Sequence, residues 1–167
     1  MYHQLDQVDV LSILLSAAIH DYDHPGLTNN FLVASNHPLA ILYNDRSVLE
    51  NHHVASAWKL MLSTPKFEFL QKLEPRLLKK IRLSTIELVL STDMSKHFEI
   101  ISQWKTLTSS SNTIALEDNS TRISLMQMII KFSDISNPAK DYSAHRRWSR
   151  LVIEEFYHQG DLERFVF

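Results

Sequence analysis

Residues 8–26 read VDVLSILLSAAIHDYDHPG. The first fourteen, 8–21, are apolar nearly all round, the pattern of a helix buried on most sides. Pro25 disfavours helical geometry at His24 and Gly26 is a common helix stop, so the helix is expected to end between Asp21 and Asp23. Four residues of metal-ligand type, His20, Asp21, Asp23 and His24, then fall within five positions. Imidazole nitrogen with carboxylate oxygen suits Zn2+, and carboxylate with water suits Mg2+ or Mn2+. A His-Asp pair alone is a weak motif. A helix that has simply reached solvent also ends this way, and Asp23 reads equally as a local turn former.

Outward from this stretch, the chain looks like an ordinary globular domain. It has 167 residues, 44% of them hydrophobic and 22% charged, enough for one domain with a core. Two glycines in the whole chain argue against an all-β design, which needs many turn residues. The formal net charge of −2 gives no electrostatic footprint for nucleic acid. With no cysteine, disulfides and thiolate metal sites are excluded, which fits a reducing, cytoplasmic setting. The longest apolar run, 10–19, is too short to span a bilayer, and no basic segment and cleavage site mark a signal peptide.

The remaining periodicity is helical throughout, so the fold class is all-α with many helices and short connections. Pro38 opens a helix over 38–43. Ser47 and Glu50 match a capping box for a helix over 48–62. Thr64-Pro65 starts a short helix, 75–92 and 94–107 read as helices, and TSSSN at 108–112 reads as a surface loop. Helices are expected over 120–132 and 142–159, the last with Trp148, Leu151, Val152, Glu155 and Phe156 roughly on one side.

Two further constellations carry candidate chemistry. In SVLENHH, 47–53, Glu50 reads equally as a cap or as a site residue. His52 and His53 are adjacent and face different directions, so one of them is expected to be a buried, hydrogen-bonded core residue. In KFSDISNP, 131–138, Asp134 stands where an apolar helix stops, as Asp21 does. A lone aspartate there usually caps or turns the chain. Two acids, each ending an apolar helix, could also converge on one metal pair.

The strings HDYDHPGLTNNFLVASNHPLAILYNDRSVLENHHVASAW, LSTDMSKHF, FSDISNPAK and RRWSRLVIEEFYHQGD follow one another in an order that resembles the catalytic domain of the class I 3′,5′-cyclic nucleotide phosphodiesterases. The resemblance runs from about residue 5 to residue 164. It implies the multi-helix, HD-type phosphodiesterase fold. It also implies a binuclear site of Zn2+ with Mg2+ or Mn2+, and hydrolysis of cyclic AMP, cyclic GMP or both by a hydroxide bridging the two metals. On that resemblance His20, Asp21 and Asp134 would be metal ligands, with Asp21 shared between the ions. His24 would hydrogen-bond the hydroxide. Glu50 and Thr92 would hold waters of the second metal, with His53 in support. Asn29 and Met94 would lie near the substrate pocket and Asn137 near its floor. Tyr22 and Asp23 match variable positions and receive no role.

The same resemblance implies parts that these strings do not contain. Family members carry a Tyr-His-Asn-x-x-His segment well upstream of the HD pair, supplying the leaving-group acid and a further zinc ligand. His3 stands too close to His20 to be that acid. Downstream, the family continues to a purine-binding glutamine and a stacking phenylalanine, and Phe165-Val166-Phe167 does not continue the pattern. Residues 1–167 are therefore expected to form the central part of one catalytic domain, poorly active by itself and prone to self-association through uncovered apolar surface. The alternatives are a non-catalytic truncated product that binds metal or a partner chain, and an HD-type phosphohydrolase acting on another ester. SVLENHH and STDMSKHF count against the last.

Overall fold

Both ends of helix α1 (Gln7–Ile19) are tied to neighbouring helices, and these ties orient the rest of the fold. The computed structural model describes residues 5–109 and 116–166. Asp6 caps α1 by accepting from the Asp9 N–H at 2.8 Å, and the Asp9 carboxylate accepts from the Asp6 N–H at 3.2 Å. This reciprocal capping box satisfies two donors that the helix cannot use. The same acids hold Lys80, 2.9 Å from Asp6 and 3.4 Å from Asp9, while Arg122 stands 3.6 Å from Asp9. Lys80 lies in the first half of α6 (Pro75–Leu90), and Arg122 lies in the first turn of α8 (Asn119–Asp134). At the opposite end, His20 at the close of α1 contacts Asp134 at the close of α8. Lys131 on α8 donates to the carbonyl of Ser91, just past α6. Helices α1, α6 and α8 therefore run in the same direction and finish at one end of the molecule.

Helix α1 is less buried than its sequence pattern suggests. Ser12 and Ser16 are fully buried, whereas Val10, Leu11 and Leu14 are exposed. Each serine hydroxyl donates to the carbonyl four residues back, at 2.7 Å, so no polar group is stranded by burial. Short back-bonded side chains let α1 lie close to α6, its most extensive partner, where Ser84 and Thr85 are also buried. The expectation of a helix buried on most sides is thus corrected. The buried side combines these small serines, which allow close approach, with Val8, Ile13, Leu15 and Ile19, which pack against the core.

The other elements surround this trio. They are α2 (Asn29–Ala34), α3 (Pro38–Leu42), α4 (Val48–Ser63), α5 (Glu68–Gln71), α7 (His97–Ser109) and α9 (Tyr142–Val166), with 3-10 turns at Pro65–Phe67, Met94–Lys96 and Asn137–Ala139. No strand occurs among the described residues, so the fold is all-α as expected. Three groups of buried residues form the core. Trp58 gathers Ile19, Val54, Ala57, Met61, Leu70, Ile81 and Val89. Leu32, Ala40, Val48 and Leu49 join α2 and α3 to the start of α4. Leu88, Met126 and Ile130 join α6 to α8.

Several expected boundaries shift. Helix α1 stops at Ile19 with His20 as its C-cap, so His20 and Asp21 stand just past the helix. Thr108 and Ser109 belong to α7, and the rest of the expected 108–112 loop lies outside the described residues. Helix α8 runs on through Asp134, its last residue, and α9 extends well past 159. The capping box expected at Ser47 and Glu50 is absent. Ser47 adopts a left-handed backbone, with φ 43°, and makes no cap. Its hydroxyl donates instead to Asp93 at 2.7 Å, and Glu50 turns to Asn29.

Candidate metal centre

The common end of α1, α6 and α8 brings together residues far apart in the chain. His20 Nε2 lies 3.2 Å from Asp134 Oδ1 and 3.3 Å from Asp21 Oδ2. The other ring nitrogen, Nδ1, is 2.9 Å from the Ala17 carbonyl. That contact makes Nδ1 the proton-bearing nitrogen and aims Nε2 at the carboxylates. One ligand atom from each of His20, Asp21 and Asp134 falls within 4.8 Å of the others. This nitrogen-plus-oxygen set is the donor chemistry that zinc or another borderline divalent ion takes, so the residues fit such an ion.

In the protein alone, a proton stands where a cation fits. Contacts from Asp134 and then Asp21, working against burial, raise His20 from its ordinary 6.5 to about 10. Asp21 is held below its usual range by His20, although burial opposes this. A group whose pKa is raised on folding stabilises fully below its unfolded value. That stabilisation fades as the folded value is passed. Metal-free protein is therefore expected to lose thermal stability steadily from about pH 6.5 to about pH 10. Saturating Zn2+ should flatten that slope, because metal replaces the proton. A flat metal-free profile in differential scanning calorimetry would show that His20 does not bridge the two acids.

The walls of the site come from loops and helix starts. His53 on α4 is 2% exposed, its Nδ1 lies 2.7 Å from the Tyr22 carbonyl, and its ring stacks on His24 at 5.4 Å. Burial pushes His53 below its ordinary value. It is the expected buried histidine. His52 lies 2.8 Å from Asp23, which adopts a left-handed backbone with φ 61°. Tyr22 and Asp23, given no role from sequence, thus anchor the His20–Gly26 turn to α4. His24 Nδ1 accepts from the Gly26 N–H at 3.0 Å. Asn29 works in two directions: its amide nitrogen donates to Glu50 at 3.0 Å, and its amide oxygen accepts from the Leu49 N–H at 2.9 Å. Burial raises Glu50, partly offset by that Asn29 bond.

Two cavities meet at Asp21 and Asp134. The first, of about 550 Å³, is lined by His24, Asn29, Glu50, Thr92, Asp93 and Met94 as well as by the two acids. The second, of about 440 Å³, adds His20, Asn137, Lys140, Trp148 and Val152. The predicted residues are therefore divided. Asn29, Met94, Glu50 and Thr92 share one side, Asn137 sits on the other, and His53 supports from behind. Sequence reasoning missed Asp93, whose carboxylate accepts from Ser47 and from the Ser95 N–H at 2.8 Å. Those bonds hold it below its usual range despite burial. Its place beside Thr92 was the available signal. Reasoning from sequence also missed Lys131, a buried cation whose only hint was a lysine inside an apolar run.

A family model described as 3'5'-cyclic nucleotide phosphodiesterase matches residues 1–166. This chain belongs to that family. It is 45% identical over 161 residues to "Probable 3',5'-cyclic phosphodiesterase pde-3" of Caenorhabditis elegans, covering 96% of this chain and 23% of that protein. It is 44% identical over 156 residues to "cGMP-inhibited 3',5'-cyclic phosphodiesterase 3A" of Homo sapiens, covering 93% of this chain and 14% of that protein. The chain thus spans less than a quarter of the length of these relatives. The phosphodiesterase domain of the RhoPDE fusion protein from Salpingoeca rosetta superposes with a TM-score of 0.91 at 34% identity, covering 98% of this chain and 51% of that one. Among the described residues of this phosphodiesterase-family chain, no helix is long and apolar enough to cross a membrane.

Proposed function

We propose that residues 1–167 are the central, metal-holding part of a catalytic domain that hydrolyses 3′,5′-cyclic nucleotides to 5′-nucleotides in the cytoplasm, as part of cyclic nucleotide signalling. The observation that carries this reading is the convergence of His20, Asp21 and Asp134 between two cavities, on a chain of that family. His20, Asp21 and Asp134 would hold a Zn2+ ion. Asp21 would be shared with a Mg2+ or Mn2+ ion, whose waters Glu50 and Thr92 would hold. When bound, such a pair of ions supplies an activated water at neutral pH and neutralises the cyclic phosphate.

The chain's own residues do the remaining work. With Nδ1 accepting from Gly26, neutral His24 carries its proton on Nε2 and can donate to an oxygen in the first cavity. His53 keeps the His24 ring in place by stacking on it. Asn29 and Met94 border the phosphate side. Asn137, Trp148 and Val152 offer an aromatic and apolar wall suited to a purine on the other side. Among the described residues, His20 and His24 are the only histidines lining either cavity. On this reading His20 would be committed as a ligand and His24 to the activated water, so the described residues lining the cavities offer no further histidine as acid for the departing 3′ oxygen. The isolated polypeptide should therefore take metal but turn over poorly.

Calorimetric titration with Zn2+ and Mn2+, followed by cyclic AMP and cyclic GMP hydrolysis assays on the same sample, tests this. Metal binding with marginal turnover is expected. Robust turnover would overturn the poor-catalyst reading, and absence of metal binding would overturn the site. Tyr142, Ile153 and Tyr157 are exposed along one side of α9, and we propose that isolated chains associate through this face. Sedimentation of that sample should show concentration-dependent association.

A further inference from the structure

Lys131 is the one lysine among the described residues that is buried, at 4% exposure. Its ammonium donates to the Ser91 carbonyl at 3.0 Å. Ser91 begins the turn that carries Thr92 and Asp93 into the first cavity, and Lys131 stands one helical turn before Asp134. An ammonium removed from water needs nearby negative charge as well as hydrogen-bond acceptors. Burial does lower this lysine, and the charges that oppose the shift belong to Asp134, Asp93 and Glu50, in that order. These are three of the carboxylates that line the first cavity. Lys96, the other cation nearby, is half-buried and donates to the Leu90 carbonyl at 3.2 Å. The carboxyl end of α6 is thus already met by a second lysine, and capping that helix does not by itself call for a buried one.

We propose that Lys131 is a resident counter-cation of the acidic cavity: its fixed charge offsets part of the charge on Glu50, Asp93 and Asp134, holds those groups together in the absence of metal, and sets how tightly the site takes a divalent ion. The last part rests on the metal-site reading above. Lys131 acts through the carboxylates and is a positioning residue. The sign of its effect separates this role from a packing role. A tether that only joins α8 to the Ser91 turn would weaken metal binding when lost, because the ligands would loosen. A competing positive charge would strengthen metal binding when lost, because the ion would no longer be repelled.

The test uses two variants and two readouts. Lys131→Gln removes the charge and keeps a donor for Ser91, and Lys131→Met removes both. Titration with Mn2+ alone, at low ionic strength, is expected to give about tenfold tighter binding in Lys131→Gln than in the unaltered chain, an advantage that shrinks in high salt. Unchanged or weaker binding would overturn the proposal. The second readout needs no metal. In a double-mutant cycle followed by urea unfolding, Asp134→Asn should cost less stability, or add some, when combined with Lys131→Met. Strictly additive losses would overturn the counter-cation role. If the unaltered chain takes no Mn2+, the metal-site reading fails while the cycle still decides the role of Lys131. If Lys131→Met folds only when Asp134→Asn is added, that is the expected coupling at its strongest. If neither the single nor the double variant folds, Lys131 is a tether and the proposal falls.

Discussion

Asp134→Ala is expected to lower divalent metal affinity by about a hundredfold or more, since removing even an outer support of a ligand commonly costs ten- to a hundredfold. Asp134 is the ligand-type residue that α8 contributes, 114 positions from His20, and it borders both cavities. Without it the remaining pair, His20 and Asp21, comes from adjacent positions on one turn. Two neighbouring side chains cannot enclose a tetrahedral ion. The loss should also release the His20 imidazole, because Asp134 is the largest cause of its raised pKa. Two signals should therefore move together. Calorimetric metal binding should disappear, and the His20 ring should titrate closer to 6.5 in proton NMR of the metal-free protein. Helical circular dichroism should be retained, since the Asp134 carboxylate is not part of the apolar core. Unchanged metal affinity would remove Asp134 from the site.

Trp58→Ala should cost about 3–5 kcal/mol of folding stability, read from urea unfolding of metal-free protein. Trp58 is 2% exposed and sits in the largest of the three core groups, with the Arg82 guanidinium 5.3 Å from its ring centre. Its truncation removes apolar area, the Arg82 contact and shape complementarity at once. Domains of this kind have about 5–15 kcal/mol in total, so the variant should be near the threshold of folding. The site should respond as well, because Ile19 packs in the same group and immediately precedes His20. Trp58→Phe should be much milder. The indole N–H is buried without a partner, so its loss removes an unsatisfied donor while keeping most of the ring. A cost below about 1 kcal/mol for the alanine variant would mean that the cavity collapses freely, against the usual response of a packed core.

Helix positions were legible in sequence wherever one rule acted alone. Pro38 and Pro75 stand at the first helical position, and the helices expected over 75–92 and 120–132 are present as α6 and α8. Legibility failed where tertiary contacts competed with a local rule. Ser47 and Glu50 have the residue types of a capping box. Asp93 and Asn29 bind these two side chains instead, and the backbone at Ser47 is left-handed. In α1 the all-round apolar pattern did not say which side is buried, since serines that bond to their own helix count as polar in a sequence and as small in a core. Conversely, Asp6 and Asp9 form a true capping box that no serine-to-glutamate pattern announces. Among the site residues, the three ligand candidates were readable from residue type and context. Asp93 and Lys131 were not, because a single charged residue inside an apolar stretch gives no sign of what will neutralise it.

The shared direction of α1, α6 and α8 has an electrostatic consequence that precedes any side chain. Peptide dipoles aligned along a helix place roughly half a negative charge at its carboxyl end. Three such ends finish beside the two cavities, and their outward carbonyls face the region where His20, Thr92 and Asp134 stand. The backbone alone therefore makes this end of the molecule attractive to cations. The acids Asp6, Asp9 and Asp118 sit at the opposite, amino ends, where the same dipoles favour negative charge. A chain that changed its ligands one at a time would keep this underlying field, and the place where a cation settles would outlast the identity of any one residue that holds it.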